Sequence, residues 1–160
     1  MNYLKIGLMA LVSLFFVACN NNGTPPEPKP TLPANGAYAG TFVISQGTED
    51  EFVWDANVVL TINQEETYAT VDMLKVKFTE KGMPEMDITI PGVPLTEISD
   101  GYTLSCDEDG IIPIMAGGKF PDRVITEIVG KVTSQTISFS FVCMNLPVNF
   151  TGVREGALQR

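Results

Sequence analysis

The sequence has 160 residues, of which 44% are hydrophobic, and its 19 acidic side chains outnumber 10 basic ones, which gives a net charge of −9 at pH 7. This length fits a single domain. The negative charge argues against binding to nucleic acid or to anionic lipid surfaces, because both require basic patches. The sequence contains no histidine, which excludes Ser–His–Asp and Cys–His catalysis and removes the commonest zinc ligand.

Residues 1–18 have the composition of a signal peptide. A short segment with one basic residue, Lys5, precedes an apolar run from Ile6 to Val17, which is shorter than the ~20 residues of a membrane-spanning helix and suits a signal peptide's apolar region. The sequence Phe16-Val17-Ala18-Cys19 resembles the lipobox of bacterial lipoproteins, which implies cleavage before Cys19 and acylation of its thiol. An ordinary cleavable signal that ends near a cysteine is the alternative.

Residues 19–35 are polar and proline-rich, so they are predicted to form an extended, semi-rigid tether. Two or three acyl chains on Cys19 would anchor this tether stably in a membrane. Asn20 is not an aspartate, and no acidic stretch follows it, which favours attachment to the outer membrane with the domain facing the periplasm. Removing residues 1–18 deletes Lys5, so the net charge falls from −9 to −10.

Residues 36–154 read as a series of β-strands, because apolar residues alternate with polar ones and turn residues recur every ~8–12 positions. The clearest strand is Phe52 to Ile62, whose even-numbered apolar residues all lie on one face, as in a sheet with one buried face. The same pattern predicts further strands, listed in chain order: Ala37–Ser45, Thr67–Thr79, Met86–Ile90, Leu95–Ile98, Tyr102–Cys106, Ile111–Met115, Arg123–Thr133, Ile137–Cys143 and Val148–Val153, the last read as a continuation after Pro147.

The alternation also predicts which residues of a strand share a face. Leu74, Val76 and Phe78 alternate against Met73, Lys75 and Lys77. In the strand that starts at Arg123, the shared face consists of Val124, Thr126, Ile128, Gly130 and Val132. The prolines of Pro91-Gly92-Val93-Pro94 predict an edge, a bulge or a bend, because proline cannot donate a hydrogen bond to a neighbouring strand.

About eight sequential strands without a convincing helix predict an all-β domain, either an up-and-down barrel or a sandwich. A barrel is favoured because closure removes exposed strand edges. Residues 155–160 are predicted to be a polar tail.

Three glycine-containing segments resemble a known family. They are Gly36-Ala37-Tyr38-Ala39-Gly40-Thr41, the stretch from Gly82 to Pro94, and Phe150-Thr151-Gly152. They are similar to the calycin-like β-barrel domain of small exported lipoproteins from gut-dwelling Gram-negative bacteria, over about residues 36–153. The resemblance implies an eight-stranded, lipocalin-like barrel and no activity that can be carried over to particular residues.

With Cys19 acylated, Cys106 and Cys143 are the cysteines that remain. In an exported protein they are candidates for a disulfide, and two buried free thiols are the alternative. The acidic run Asp107-Glu108-Asp109-Gly110 offers oxygen ligands for calcium but lacks the EF-hand spacing, so it is interpreted as a solvated turn. The sequence predicts no metal, no cofactor and no catalytic residue.

Aromatic residues and methionines are the remaining candidates for a site. An eight-stranded barrel either fills its interior or keeps room for one small ligand, and methionines make a ligand cavity adaptable. The candidate aromatic lining is Phe52, Trp54, Phe78, Phe139, Phe141 and Phe150, and the methionines are Met73, Met83, Met86, Met115 and Met144. The alternative is a packed core.

These features favour a lipid-anchored envelope barrel that is not an enzyme and that binds a small apolar ligand or lipid. The alternative is a structural subunit that contacts another envelope protein or a polysaccharide and holds no internal ligand.

Overall fold

The computed structural model describes residues 34–45, 51–79 and 84–156. The predicted signal peptide, the anchor Cys19, the tether up to residue 33, Met83 and the tail residues 157–160 lie outside the described residues. Within the described part, no helix has the length and hydropathy needed to cross a membrane.

The described residues form ten strands and one short 3-10 helix, Pro121–Arg123. The strands are β1 Gly36–Ser45, β2 Glu51–Ile62, β3 Tyr68–Val76, β4 Met86–Ile98, β5 Gly101–Cys106, β6 Ile114–Met115, β7 Gly118–Lys119, β8 Ile125–Val132, β9 Thr136–Cys143 and β10 Leu146–Arg154.

Eight of these strands close into an antiparallel barrel. Its order is β1-β2-β3-β4-β5-β8-β9-β10, and β10 pairs with β1 to complete the ring. The short strands β6 and β7 form a hairpin outside the ring, which is joined to β4 through the pairing of Ile88 with Met115. The predicted all-β, eight-stranded up-and-down barrel is therefore confirmed.

An up-and-down barrel has two ends, and here they differ. At one end, called the Tyr38 end, the hydroxyl of Tyr38 lies 2.6 Å from the carbonyl oxygen of Ala34 and 3.1 Å from that of Thr133. The guanidinium of Arg154 donates there to the carbonyl oxygens of Asn35 and Ser134. The other end, called the mouth, carries the connections β1–β2, β3–β4, β5–β8 and β9–β10. Side chain to backbone hydrogen bonds thus tie the chain together at the Tyr38 end.

The barrel interior is filled by apolar side chains. A cluster of aromatic rings occupies its centre, with Phe42 centred 4.6 Å from Phe150 and 6.4 Å from Phe139. The largest of the other fully buried side chains are Tyr38, Phe78, Phe141, Ile44, Leu60, Met73, Ile88, Ile90, Leu104 and Ile125. Among the described residues, no polar or charged residue is buried. Hydrophobic burial is therefore the main force that holds the strands together.

Bulges in β3 and in β8 shift the buried faces of these strands away from the predicted ones. In β3, the pairing with β4 moves by one residue between Met73 and Val76, and Lys75 takes the left-handed conformation, with φ of 55°. As a result Met73, Val76 and Phe78 are all buried. The predicted face of Leu74, Val76 and Phe78 is wrong for Leu74, because the bulge lies between it and the other two.

The bulge in β8 has the same form. Its pairing with β9 shifts between Thr126 and Val129, and Glu127 has φ of 55°. The buried residues are Ile125, Ile128 and Val132 rather than one continuous alternating set. The predicted face is therefore wrong on the N-terminal side of this bulge.

Several strand boundaries also differ from the predicted ones, and two of these differences lie at prolines. Strand β4 runs unbroken from Met86 to Ile98, and its prolines are accommodated by a bulge at Gly92, with φ of 67°. The segment after Pro147 belongs to a separate strand, β10. A tight turn at Met144 and Asn145, both with positive φ, divides it from β9, as two-residue hairpin turns require.

Candidate functional site

A cavity of about 460 Å³ opens at the mouth of the barrel. This volume lies within the ~300–1,000 Å³ of pockets that hold small molecules. Its wall comes from the ends of β3 and β4, the β6–β7 hairpin, the 3-10 helix and the β9–β10 turn. The lining residues are Phe78, Pro84, Glu85, Met86, Met115, Ala116, Phe120, Arg123 and Met144.

The wall of this cavity is mostly apolar and adaptable. Phe78 and Met115 are buried, whereas Phe120 is 43% exposed at the rim. Three of the lining residues are methionines, whose flexible thioethers adjust to ligands of different shapes. The cavity is therefore suited to an apolar ligand of no single fixed shape.

Local backbone geometry places the hairpin side of the wall. Ala116 and Gly117 both have positive φ, which makes the two-residue turn that joins β6 to β7. The N–H of Phe120 donates to the carbonyl oxygen of Pro113 over 2.9 Å, and the N–H of Arg123 donates to that of Phe120 over 3.1 Å. These hydrogen bonds hold Phe120 and Arg123 beside the cavity.

Two of the described lining residues are charged, and only one of them has its charge balanced. Glu85 lies 3.7 Å from the ammonium of Lys77, which itself lies 4.3 Å from the centre of the Trp54 ring. The guanidinium of Arg123 has neither an ion-pair nor a hydrogen-bond partner among the described residues. The unbalanced charge of the wall is therefore positive.

Arg123 also acts on a thiol next to the cavity. Burial raises the pKa of Cys143 above its ordinary value, and the positive charge of Arg123 opposes that shift. Cys143 precedes Met144, which lines the cavity.

The aromatic residues predicted as a lining lie in three different places. Phe78 lies in the cavity wall. Phe139, Phe141 and Phe150 belong to the packed core. Phe52 and Trp54 are half-buried on β2, with their rings stacked at 6.3 Å. The barrel centre is therefore packed, and the space lies at its mouth.

The methionines divide in the same way. Met86, Met115 and Met144 line the cavity, whereas Met73 is buried in the core. Sequence reasoning missed Phe120 and Arg123 as lining residues, because Phe120 lies outside the predicted strands and Arg123 was predicted to begin a strand, whereas it ends the 3-10 helix. An apolar side chain next to Gly117-Gly118 and Pro121 was the available signal, since such residues bend the chain and expose what lies between them.

A more open depression of about 680 Å³ lies outside the barrel, where β2 and β3 part. It is lined by Ala39, Gly40, Thr41, Asp55, Ala56, Asn57, Leu74 and Lys75. The carboxylate of Asp55 accepts a hydrogen bond from Thr41 within it. This depression is more open and more polar than the mouth cavity, so it encloses an apolar ligand less well.

Cys106 and Cys143 are free thiols in the structure. Cys106 on β5 pairs with Ile128, and Cys143 on β9 pairs with Ile125, so β8 lies between them. Two strand spacings and an offset of three residues along β8 put their Cα atoms more than about 10 Å apart, beyond the ~7 Å limit for a disulfide. Burial, followed by the negative charge of Asp107, raises the pKa of Cys106, so neither thiol is activated.

The acidic run after β5 forms an exposed turn. The N–H of Gly110 donates to the carbonyl oxygen of Asp107 over 3.1 Å, and Gly110 has a positive φ of 67°. Across the described ranges, no three His, Cys, Asp or Glu side chains are grouped to hold a metal ion.

No family model, curated protein or solved structure matches this chain. Its function is therefore inferred from the mouth of the barrel.

Proposed function

We propose that this protein is a calycin-like binding barrel that holds a small apolar ligand in its mouth and catalyses no reaction. The observation that carries the proposal is the 460 Å³ cavity, which is walled by methionine and phenylalanine side chains at one end of a barrel that is otherwise packed. Packing elsewhere gives the wall a rigid support, and the methionines let its surface adjust.

The proposal includes attachment to the outer membrane through an acylated Cys19. Its support is the apolar run of residues 6–17, the resemblance of residues 16–19 to a lipobox, and the proline-rich residues that follow. A membrane location would bring the barrel close to apolar ligands, which partition into lipid.

Binding is tested with the neutral fluorescent probe N-phenyl-1-naphthylamine. Met86→Trp places a larger ring in the cavity wall, and we expect it to weaken probe binding at least about tenfold, because overfilling a cavity removes the space for the ligand. Val153→Trp is the matched control, since Val153 is exposed on the outside of β10, and it should bind as the unmodified protein does.

Thermal unfolding of both variants shows that each is folded. If the unmodified protein does not bind the probe, or if both variants bind it equally well, the mouth is not a ligand site. A role as an interaction subunit would then be favoured.

A further inference from the structure

The charge at the mouth is opposite to that of the protein as a whole. The chain carries a net charge of −9, yet among the cavity-lining residues that the structure describes, the one unbalanced charge is the guanidinium of Arg123. Glu85, the other charged lining residue, is neutralised by Lys77. The Trp54 ring attracts the same ammonium through its π face, which keeps Lys77 beside Glu85.

The local structure places the charge of Arg123 at the rim of the cavity. Arg123 ends the 3-10 helix that begins at Pro121, and its backbone is hydrogen-bonded to Phe120. Its side chain is exposed and lines the cavity together with Phe120, Met144 and Met115. The cavity therefore combines buried apolar wall with one cation at its solvent-exposed rim.

We infer that the ligand is an amphipathic anion, with a single apolar chain among the methionines and an anionic head group at Arg123. This inference rests on the proposed function, because it names the ligand class of the same cavity. A guanidinium binds a carboxylate or a sulfonate through two parallel hydrogen bonds. A cationic head group would be repelled by the positive charge of Arg123, and a neutral head group would leave the guanidinium without a charged partner.

The net negative charge of the protein favours a single dissolved ligand molecule over a membrane surface as the binding partner of the cavity. A net charge of −9 repels an anionic bilayer, which presents many charges at once, more strongly than a dissolved molecule with a single negative charge. The concave wall also encloses one chain rather than contacting a plane of head groups.

The test compares laurate, dodecanol and dodecylamine as competitors of N-phenyl-1-naphthylamine, each below its micelle concentration. We expect laurate to bind about two- to fivefold more tightly than dodecanol, the range that an exposed ion pair supplies. Dodecylamine should bind more weakly than either. Arg123→Gln should remove the preference for laurate without weakening dodecanol.

Lys119→Gln is the matched control, since Lys119 is an exposed cation on β7 that does not line the cavity, and it should keep the preference. Equal binding of laurate and dodecanol, or a preference that survives Arg123→Gln, overturns the inference while the proposed function stands. If none of the three compounds displaces N-phenyl-1-naphthylamine, the inference and the proposed function both fail. Arg123-dependent sedimentation with anionic phosphatidylglycerol vesicles, without competition by laurate, also overturns the inference of a dissolved ligand.

Discussion

The indole N–H of Trp54 donates a hydrogen bond to the backbone carbonyl oxygen of Lys75 over 2.9 Å. The bond crosses the place where two barrel strands separate, because β2 pairs with β3 only from Asn57 onward. On the other side of Lys75, its N–H donates to the carboxylate of Asp87 over 2.9 Å. Two side chains thus satisfy both backbone groups of the bulge residue.

Removing the indole N–H should destabilise the barrel. Trp54→Phe keeps an aromatic ring but leaves the carbonyl of Lys75 without its donor, so we expect a loss of about 1 kcal/mol in the free energy of unfolding. The change is measured by urea denaturation, with unfolding monitored by circular dichroism. Tryptophan fluorescence is unsuitable, because Trp54 is the only tryptophan of the chain and the substitution removes it. Tyr68→Phe, at an exposed aromatic, is the control. An equal effect of the two substitutions would argue against a structural role for this bond.

The left-handed conformation of Lys75 predicts opposite effects for two substitutions. Glycine adopts φ of 55° without strain, whereas a β-branched residue resists it. Lys75→Gly should therefore leave stability within about 1 kcal/mol of the unmodified protein or raise it, and Lys75→Val should lower it by about 1–3 kcal/mol. Lys75→Ala controls for the lost charge. The bulge would not constrain this residue if Val and Gly gave the same unfolding midpoint.

Close packing between β1 and β10 predicts that one glycine cannot be replaced. A Cβ atom on Gly40 would lie 2.1 Å from the carbonyl oxygen of Thr151, whereas one on Gly118 would lie 4.0 Å from its nearest neighbour. Gly40→Ala should cost about 3 kcal/mol or more, because backbone must move, and Gly118→Ala less than about 0.5 kcal/mol. Thermal unfolding compares the two, and a similar melting temperature for both would contradict the pairing of Gly40 with Gly152.

Stability should fall in alkaline solution. Burial raises the pKa of the Cys143 thiol above 9.0 and that of the Tyr38 phenol above 10.0, and Cys106 and Tyr102 shift in the same direction. The native state therefore binds these protons more tightly than the unfolded state does. The contribution is fully present below pH 9 and is lost as the pH rises through each folded pKa.

Urea denaturation as a function of pH measures this loss. Tyr38→Phe should lower stability at neutral pH by about 1 kcal/mol, because the hydroxyl contacts with Ala34 and Thr133 are lost. It should also flatten the decline above pH 10. Cys143→Ala should flatten the decline just above pH 9. A steeper decline in either variant would reverse the sign that burial predicts.

Alternation in the sequence predicted the strands and the barrel, but not the phase along every strand. Period-two patterning specifies faces only while each residue advances the strand by one step. The bulges at Lys75 and Glu127 insert an extra residue and reverse the face without any local glycine or proline to mark them. Gly92 lies between two prolines, and there the interruption was visible.

The site was predictable in part for a related reason. Phe78 and Met86 lie near the ends of predicted strands, where apolar residues are recognised candidates for a barrel mouth. Phe120 and Arg123 enter the wall only because the β6–β7 hairpin and the 3-10 helix fold over it. Their contribution depends on contacts between distant segments, which no periodicity encodes.

The hydrogen bonds of Tyr38 and Arg154 bring both ends of the described chain to the side of the barrel away from the cavity. Ala34 contacts the Tyr38 hydroxyl, and the N–H of Glu155 donates to the carbonyl of Ala37. A fused domain, an affinity tag or a sensor surface that is joined directly at residue 34 or residue 156 would therefore be attached opposite the mouth. Such a fusion leaves the methionine-lined opening facing solution, which makes either of these two positions suitable for immobilising the protein in binding measurements.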